Sequence, residues 1–437
     1  MRVALVHYWL VGVRGGEKVL EELCLLFPEA DIFTLVCNED KLSEVLRSHR
    51  IVTSWLQQLP FAVHNYKMLL PLMPFALEHF DLREYDLVIS SEAGPAKGVI
   101  VRPEAVHVCY CHSPLRYIWD KYHDYRSGAG LVARLAMPLL APPLRVWDVT
   151  TAARVDHFVA NSAYVAQRIE RYFRRDAQVV HPPVETEAFG ISDRQDDFYL
   201  FAGQLVRYKR ADLAVEAFNR LDRPLVVIGE GEQLGHLRKI ARGNVTFLGR
   251  QPFDVLRTHY QRCRALIFPG EEDFGIVPVE AMACGRPVIA FGRGGALETV
   301  FDGVTGVLFR EQSTEALVQA VERFEAMRDR FSPEVIRYHA CRFDRAIFRD
   351  RMGRLVAGMV ENRRSGGRLG YSDQYDVGDA AAALAFGGHG AGGAVVEPPA
   401  RTGFAGAADG TFDGWLRPMP ALPEVPRAPS ISERHPA

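Results

Sequence analysis

Glu272 and Glu280 stand eight residues apart in the stretch from Phe268 to Phe291, the segment of this chain richest in groups that can do chemistry. Residues 265–268 read as a buried strand. Pro278 suits the first turn of a helix, Gly285 suits its end, and residues 287–291 read as the next strand. One carboxylate then lies in the loop and the other in the first helical turn. Both can face the crevice at the carboxyl edge of a parallel sheet, where open α/β sheets bind ligands. Carboxylates accept hydrogen bonds from paired hydroxyls, and the amides after Gly275, at the positive end of the helix, suit a phosphate. One loop can therefore hold a polyol and a phosphate together, as a nucleotide sugar demands. The plainer alternative is a solvated acidic loop between two core elements.

Three further groups fall at strand ends. Gly15 and Gly16, followed by Glu17, come directly after a first strand at residues 3–7 and open a helix at 17–27. They serve either as a tight turn or as a place where a ligand meets bare amides. His112 ends the strand at residues 105–111, at the edge where the crevice should be, although a histidine there can equally satisfy backbone groups. Lys209, with Arg207 and Arg210, follows a strand at 198–202, so a cation there can face a diphosphate; the alternative is a solvated helix start. Gly229 to Gly235 has the spacing G-x-G-x-x-x-G and carries Glu230 and Glu232, which would repel a pyrophosphate, so no nicotinamide site is expected there.

Glu272 and Glu280 with Phe274 and Gly275 between them, the run from Glu280 to Ala290, Gly294-Gly295 to Val300, Gly303 to Gly306 and Gly203 to Val215 together resemble the signature of the family-4 retaining glycosyltransferases of the GT-B fold. The resemblance spans about the first 360 residues. It implies an α/β architecture of two Rossmann-like domains facing a central crevice. By position, Glu272 contacts the donor sugar and Glu280 the nucleotide ribose. Gly15, Gly16, Gln204, Arg207, Lys209, Phe274, Gly275 and Ile276 complete the donor side, with Glu272, His112 and Lys209 as the catalytic set. The match of Tyr110 to Asp120 with a related segment places Arg116, Tyr117, Trp119 and Asp120 on the acceptor side. Gln204 departs from the family, where arginine is common, and leaves a two-cation clamp dependent on Arg207. Similarity to bacterial mannosyltransferases implies GDP-mannose as donor and a polyprenyl-diphosphate oligosaccharide of exopolysaccharide or O-antigen assembly as acceptor. Rival readings are a GT-B sugar-nucleotide epimerase and a non-catalytic sugar-nucleotide-binding protein. No cofactor or metal is expected, because the sequence contains no Asp-x-Asp pair to hold a metal diphosphate.

Length and composition fit an enzyme of two cores: 437 residues, 48% hydrophobic and 24% charged. A net charge of −2 gives no nucleic-acid footprint. Seven cysteines without a Cys-x-x-Cys pair point to a reducing cytoplasm. The expected domains are 1–180 on the acceptor side, 181–344 on the nucleotide-sugar side, a helix near 345–364 crossing back to the first, and a disordered tail over 365–437. Two proline-interrupted apolar stretches, 66–77 and 131–147, are too short to span a bilayer. They read as helices packed into the first core or as a surface resting on the inner face of the cytoplasmic membrane and admitting a lipid-linked acceptor.

Overall fold

The computed structural model describes residues 1–12 and 15–365, which belong to one compact unit. The segment beyond residue 365, expected as a tail, lies outside the described residues. Two parallel sheets organise the chain. The first contains β1 (Val3–His7), β2 (Asp31–Thr34), β3 (Ile51–Thr53), β4 (Leu87–Glu92), β5 (Val106–Cys111), β6 (His157–Ala160) and β7 (Ala177–Val179), in the order β3-β2-β1-β4-β5-β6-β7. The second contains β8 (Tyr199–Ala202), β9 (Leu225–Ile228), β10 (Val245–Gly249), β11 (Leu266–Phe268), β12 (Val288–Phe291) and β13 (Gly306–Phe309), in the order β10-β9-β8-β11-β12-β13.

The strands read from sequence, which include 86–90, 157–160 and 225–229 beside those above, are present with their ends at most two residues off. The additional strands β2, β3, β7, β10 and β13 are three to five residues long. The inner strands β1, β4 and β5 are buried along their whole length, as expected of a sheet covered on both faces. In each sheet the strand order reverses once, between β1 and β4 and between β8 and β11, and a crevice opens outside the carboxyl ends at such a switch point.

Two crossings join the halves side by side. Val184 pairs with Asp344, the Thr186 hydroxyl donates to Asp344 Oδ2 at 2.6 Å, and the other oxygen of Asp344 accepts from Ala346 N at 2.8 Å. That carboxylate caps the helix Arg345–Arg364, which inserts Phe348, Met352, Val356 and Met359 into the core beneath β1 and β5. The chain thus begins its second half at residue 184 and returns to the first at residue 345 through one hinge.

Candidate active site between the two sheets

A cleft of about 430 Å³ lies between the halves. From the first half it is lined by Tyr8 after β1, Gly15 and Gly16 at the start of the helix Gly15–Leu26, Ala93 after β4, and His112, Ser113, Arg116 and Tyr117 after β5. From the second half come Tyr208, Lys209 and the loop Glu272 to Val277. A Cβ on Gly16 would stand 2.8 Å from the Tyr8 hydroxyl, so a side chain there would have to push the Tyr8 ring aside. The His112 ring lies just below, its Nε2 paired with Ser91 Oγ at 2.8 Å. Burial first, and then His7, push its pKa down to about 3, so the ring stays neutral and works as a hydrogen-bonding group rather than as a proton-carrying acid.

Across the cleft, Lys209 Nζ meets Glu272 Oε1 at 3.0 Å. Burial alone would lower the Lys209 pKa, but Glu272 and Tyr208 outweigh it and raise it, so the ammonium remains charged. The loop that carries Glu272 is set by a close backbone approach. Gly295 donates to Glu272 O at 2.9 Å, and a Cβ on Gly295 would come within 2.3 Å of Phe274 Cα. The turn ends at Gly275, in the left-handed region at φ 89°, and no side chain caps the helix Ile276–Ala283 that follows. The helix start adjoins the glycine turn of the other half, with Ile276 Cδ1 3.0 Å from where a Gly15 Cβ would be. Glu280 lies on this helix beyond the main cavity. It accepts from Tyr260 Oη at 3.0 Å and faces Lys18 at 4.0 Å, and burial raises its pKa against both.

Residues 13–188 match the family described as Glycosyltransferase Family 4, and residues 184–339 match the one described as Glycosyl transferases group 1. The chain belongs to the family-4 glycosyltransferases of the GT-B fold. Alpha-1,3/1,6-mannosyltransferase alg2 of Schizosaccharomyces pombe is 25% identical over 368 residues, 70% of each chain. The uncharacterized glycosyltransferase MJ1178 of Methanocaldococcus jannaschii is 29% identical over 171 residues, 38% of this chain and 48% of its own. A D-inositol 3-phosphate glycosyltransferase of Geodermatophilus obscurus is 30% identical over 221 residues, 43% of this chain and 49% of its own. The chain spans about half the length of the last two. Among solved structures, Anabaena Alr3699/HepE in complex with UDP-glucose superposes with a TM-score of 0.61 at 17% identity, over 82% of this chain and 100% of that one. Sucrose-phosphate synthase from Thermosynechococcus elongatus gives 0.62 at 18%, over 83% and 100%.

In this glycosyltransferase the sequence-derived candidates separate. His112, Lys209, Glu272, Gly15, Gly16, Phe274, Gly275, Ile276, Arg116 and Tyr117 share the cleft. Five others do not line it, Glu280 on the helix beyond it among them. Gln204 and Arg207 are exposed on the turn before Lys209, and Tyr208 takes the inward position instead. The bent loop after β5 sends successive side chains to different sides, so Trp119 turns away, donating to the buried Asp148 carboxylate at 2.7 Å and stacking on Tyr172. Asp120 pairs with Arg168 at 2.5 Å.

The sequence reading missed the seam beside the cleft. Asp273, next to Glu272, pairs with both Arg116 and Arg168 of the first half, the latter at 2.7 Å. Tyr164 Oη donates to Glu271 at 2.7 Å. Glu298 accepts from the amides of Ala163 at 2.9 Å and Tyr164 at 3.2 Å, capping a helix of the other half. One signal was available. Arg168 falls on the apolar face of its helix with Val165 and Ile169, and a cation there needs a partner. Among the described residues, no group of three or more His, Cys, Asp or Glu side chains is placed to hold a metal ion, and no helix is long and apolar enough to cross a membrane.

Proposed function

We propose that this chain is a retaining hexosyltransferase that transfers mannose from GDP-mannose to a lipid-linked oligosaccharide of a polysaccharide pathway, at the cytoplasmic face of a membrane. The observation that carries the reading is the Lys209–Glu272 pair at 3.0 Å, facing the Gly15-Gly16 turn across the cleft. A diphosphate has a cation and an uncapped helix start to neutralise it there, and a sugar has a carboxylate to orient it. As the bond from the sugar carbon to the diphosphate oxygen breaks, Lys209 and the amides after Gly275 stabilise the departing charge. The acceptor hydroxyl attacks from the same face and passes its proton to the leaving group. Glu272 and neutral His112 orient the sugar, and Glu280 holds the ribose. Mannose is supported by the activity in the name of the alg2 relative. A nucleotide-sugar donor is supported by the UDP-glucose held by the Anabaena neighbour. With cationic side chains in the neutralising role, the reading needs no resident metal.

The test is thermal stabilisation by a panel of nucleotide sugars, followed by acceptor-dependent nucleotide release in EDTA. GDP-mannose should raise the melting temperature most, since a ligand stabilises in proportion to its binding. Preference for UDP-glucose would overturn the donor, loss of release in EDTA restored by a divalent ion would overturn the metal-independent mechanism, and conversion of the donor without any acceptor would overturn transfer itself.

A further inference from the structure

The helix Leu131–Ala152 runs through Pro138, Pro142 and Pro143 and has two apolar faces. Ala141, Leu144, Thr151 and Ala152 are buried against the first half. On the other side Val132, Leu135, Leu139 and Val146 follow helical spacing, yet they are 65–82% exposed. The neighbouring segment adds Phe61, Met68 and Phe75 at 68–77% exposure. The two segments adjoin, for Leu70 packs in one cluster with Ala141 and Leu144, and Trp147 donates to Glu78 at 3.2 Å. An apolar band of this kind marks an interaction surface.

Its charges identify the partner. Lys67 and Arg134 are exposed among the apolar residues, with Arg126 half-buried at the edge, while Lys121 is engaged by Glu271 at 3.7 Å. The acids of residues 61–78 and 121–152 are Glu78, Asp124 and Asp148. Glu78 is paired with Arg154 and Asp148 with the buried Lys97, which leaves Asp124 exposed to oppose the cations. Apolar residues interleaved with cations match an anionic bilayer, whose surface attracts Lys and Arg while its acyl boundary takes up the apolar side chains. At about 33 Å, 22 residues at 1.5 Å each, the helix can lie in the interface plane. The same helix also holds the acceptor side of the cleft. Arg145 Nε donates to Ile118 O at 2.6 Å, and Ala141 and Leu144 pack on Leu115 and Ile118, which flank Arg116 and Tyr117.

We infer that Leu131–Ala152, together with the exposed apolar side chains of residues 61–75, forms an in-plane docking face for an anionic lipid bilayer, which brings membrane-borne acceptors to the Arg116–Tyr117 side of the cleft. The choice of acceptor rests on the function proposed above; the docking face itself does not. The full chain should sediment with phosphatidylcholine vesicles containing phosphatidylglycerol, and less with phosphatidylcholine alone. Leu135→Glu with Leu139→Glu should lower vesicle binding by ~10-fold or more, and Lys67→Glu with Arg134→Glu should remove the preference for phosphatidylglycerol. These side chains are exposed and outside the cleft, so melting temperature and turnover of a water-soluble acceptor should not change. A wild-type chain that ignores both vesicle types, or variants that bind as the wild type does, would overturn the proposal. So would a dimer broken by the leucine variants in the absence of vesicle binding, which would assign the face to a second copy. Vesicle binding without any glycosyl transfer would sink the proposed function and leave the docking face standing.

Discussion

The seam between the halves and the outer face of the first half solve the burial problem in opposite ways. At the seam, charged groups are taken out of water. Arg168, Asp273 and Arg116 are largely enclosed, and each charge has its partner on the other half. On the outer face, large apolar side chains stand in water while the acids Glu78 and Asp148 turn inward to cations. Buried ion pairs add little net stability against an apolar alternative, but they are specific in geometry, because one carboxylate fits only one arrangement of its guanidinium partners. The seam therefore fixes how the two halves meet around the cleft. Apolar contact is undemanding in geometry and tolerates a fluid partner. On the docking proposed above, the difference gives register to the seam and attachment to the face.

On the proposed function, the largest effects should come from the Lys209–Glu272 edge of the seam. Lys209→Ala should weaken nucleotide-sugar binding and cut turnover by ~1,000-fold, about 4 kcal/mol, because the diphosphate is charged before and during reaction. Glu272→Gln should retain donor affinity and lose ~100-fold in turnover. Unchanged donor affinity in the lysine variant, read by calorimetry, would remove its phosphate role. Next, Asp273→Asn leaves Arg116 without its carboxylate and the buried Arg168 with Asp120 alone, and should destabilise the protein by about 3 kcal/mol. Denaturant unfolding gives that number. A loss no greater than that of an exposed acid such as Asp254→Asn would show that the seam is not held by charge.

Acid tests buried rings in both halves. Burial lowers the pKa of His107 to about 4, of His112 to about 3 and of His339 to about 4, from 6.5. The unfolded chain therefore binds more protons below pH 6.5. Stability from these rings is complete above that pH and falls as pH drops toward 4. By pH 5 each ring should cost about 2 kcal/mol. His107→Gln should flatten the dependence of melting temperature on pH over that window, and an unchanged slope would place its origin elsewhere. A smaller change is expected from Glu298→Gln, which weakens the cap on Ala163 and Tyr164 by about 1 kcal/mol and lowers the melting temperature slightly. Deletion of residues 366–437 should have the least effect on melting. Among the described residues the core clusters run up to Val360, so a large drop would reveal a packed role for that segment.

What the sequence determined by itself was local. The Glu272 to Glu280 unit, the glycine turn at Gly15-Gly16 and the position of Lys209 after β8 were legible, because strand, turn and helix signals lie within a few residues of one another and chain continuity places the side chains. Even there reach was limited. Asp120 and Trp119 follow Arg116 in sequence, but the bent loop turned them away from the cleft, toward Arg168 and Asp148. Tertiary structure alone decided which distant groups meet. Arg168 and Asp273 are separated by 105 residues and Glu298 from Ala163 by 135. No periodicity encodes such pairs; they form because both sheets turn their switch points to one crevice. Tertiary structure also decided which apolar face of Leu131–Ala152 was covered, since the helix carries apolar residues on both sides and only the neighbours it packed against could select one of them.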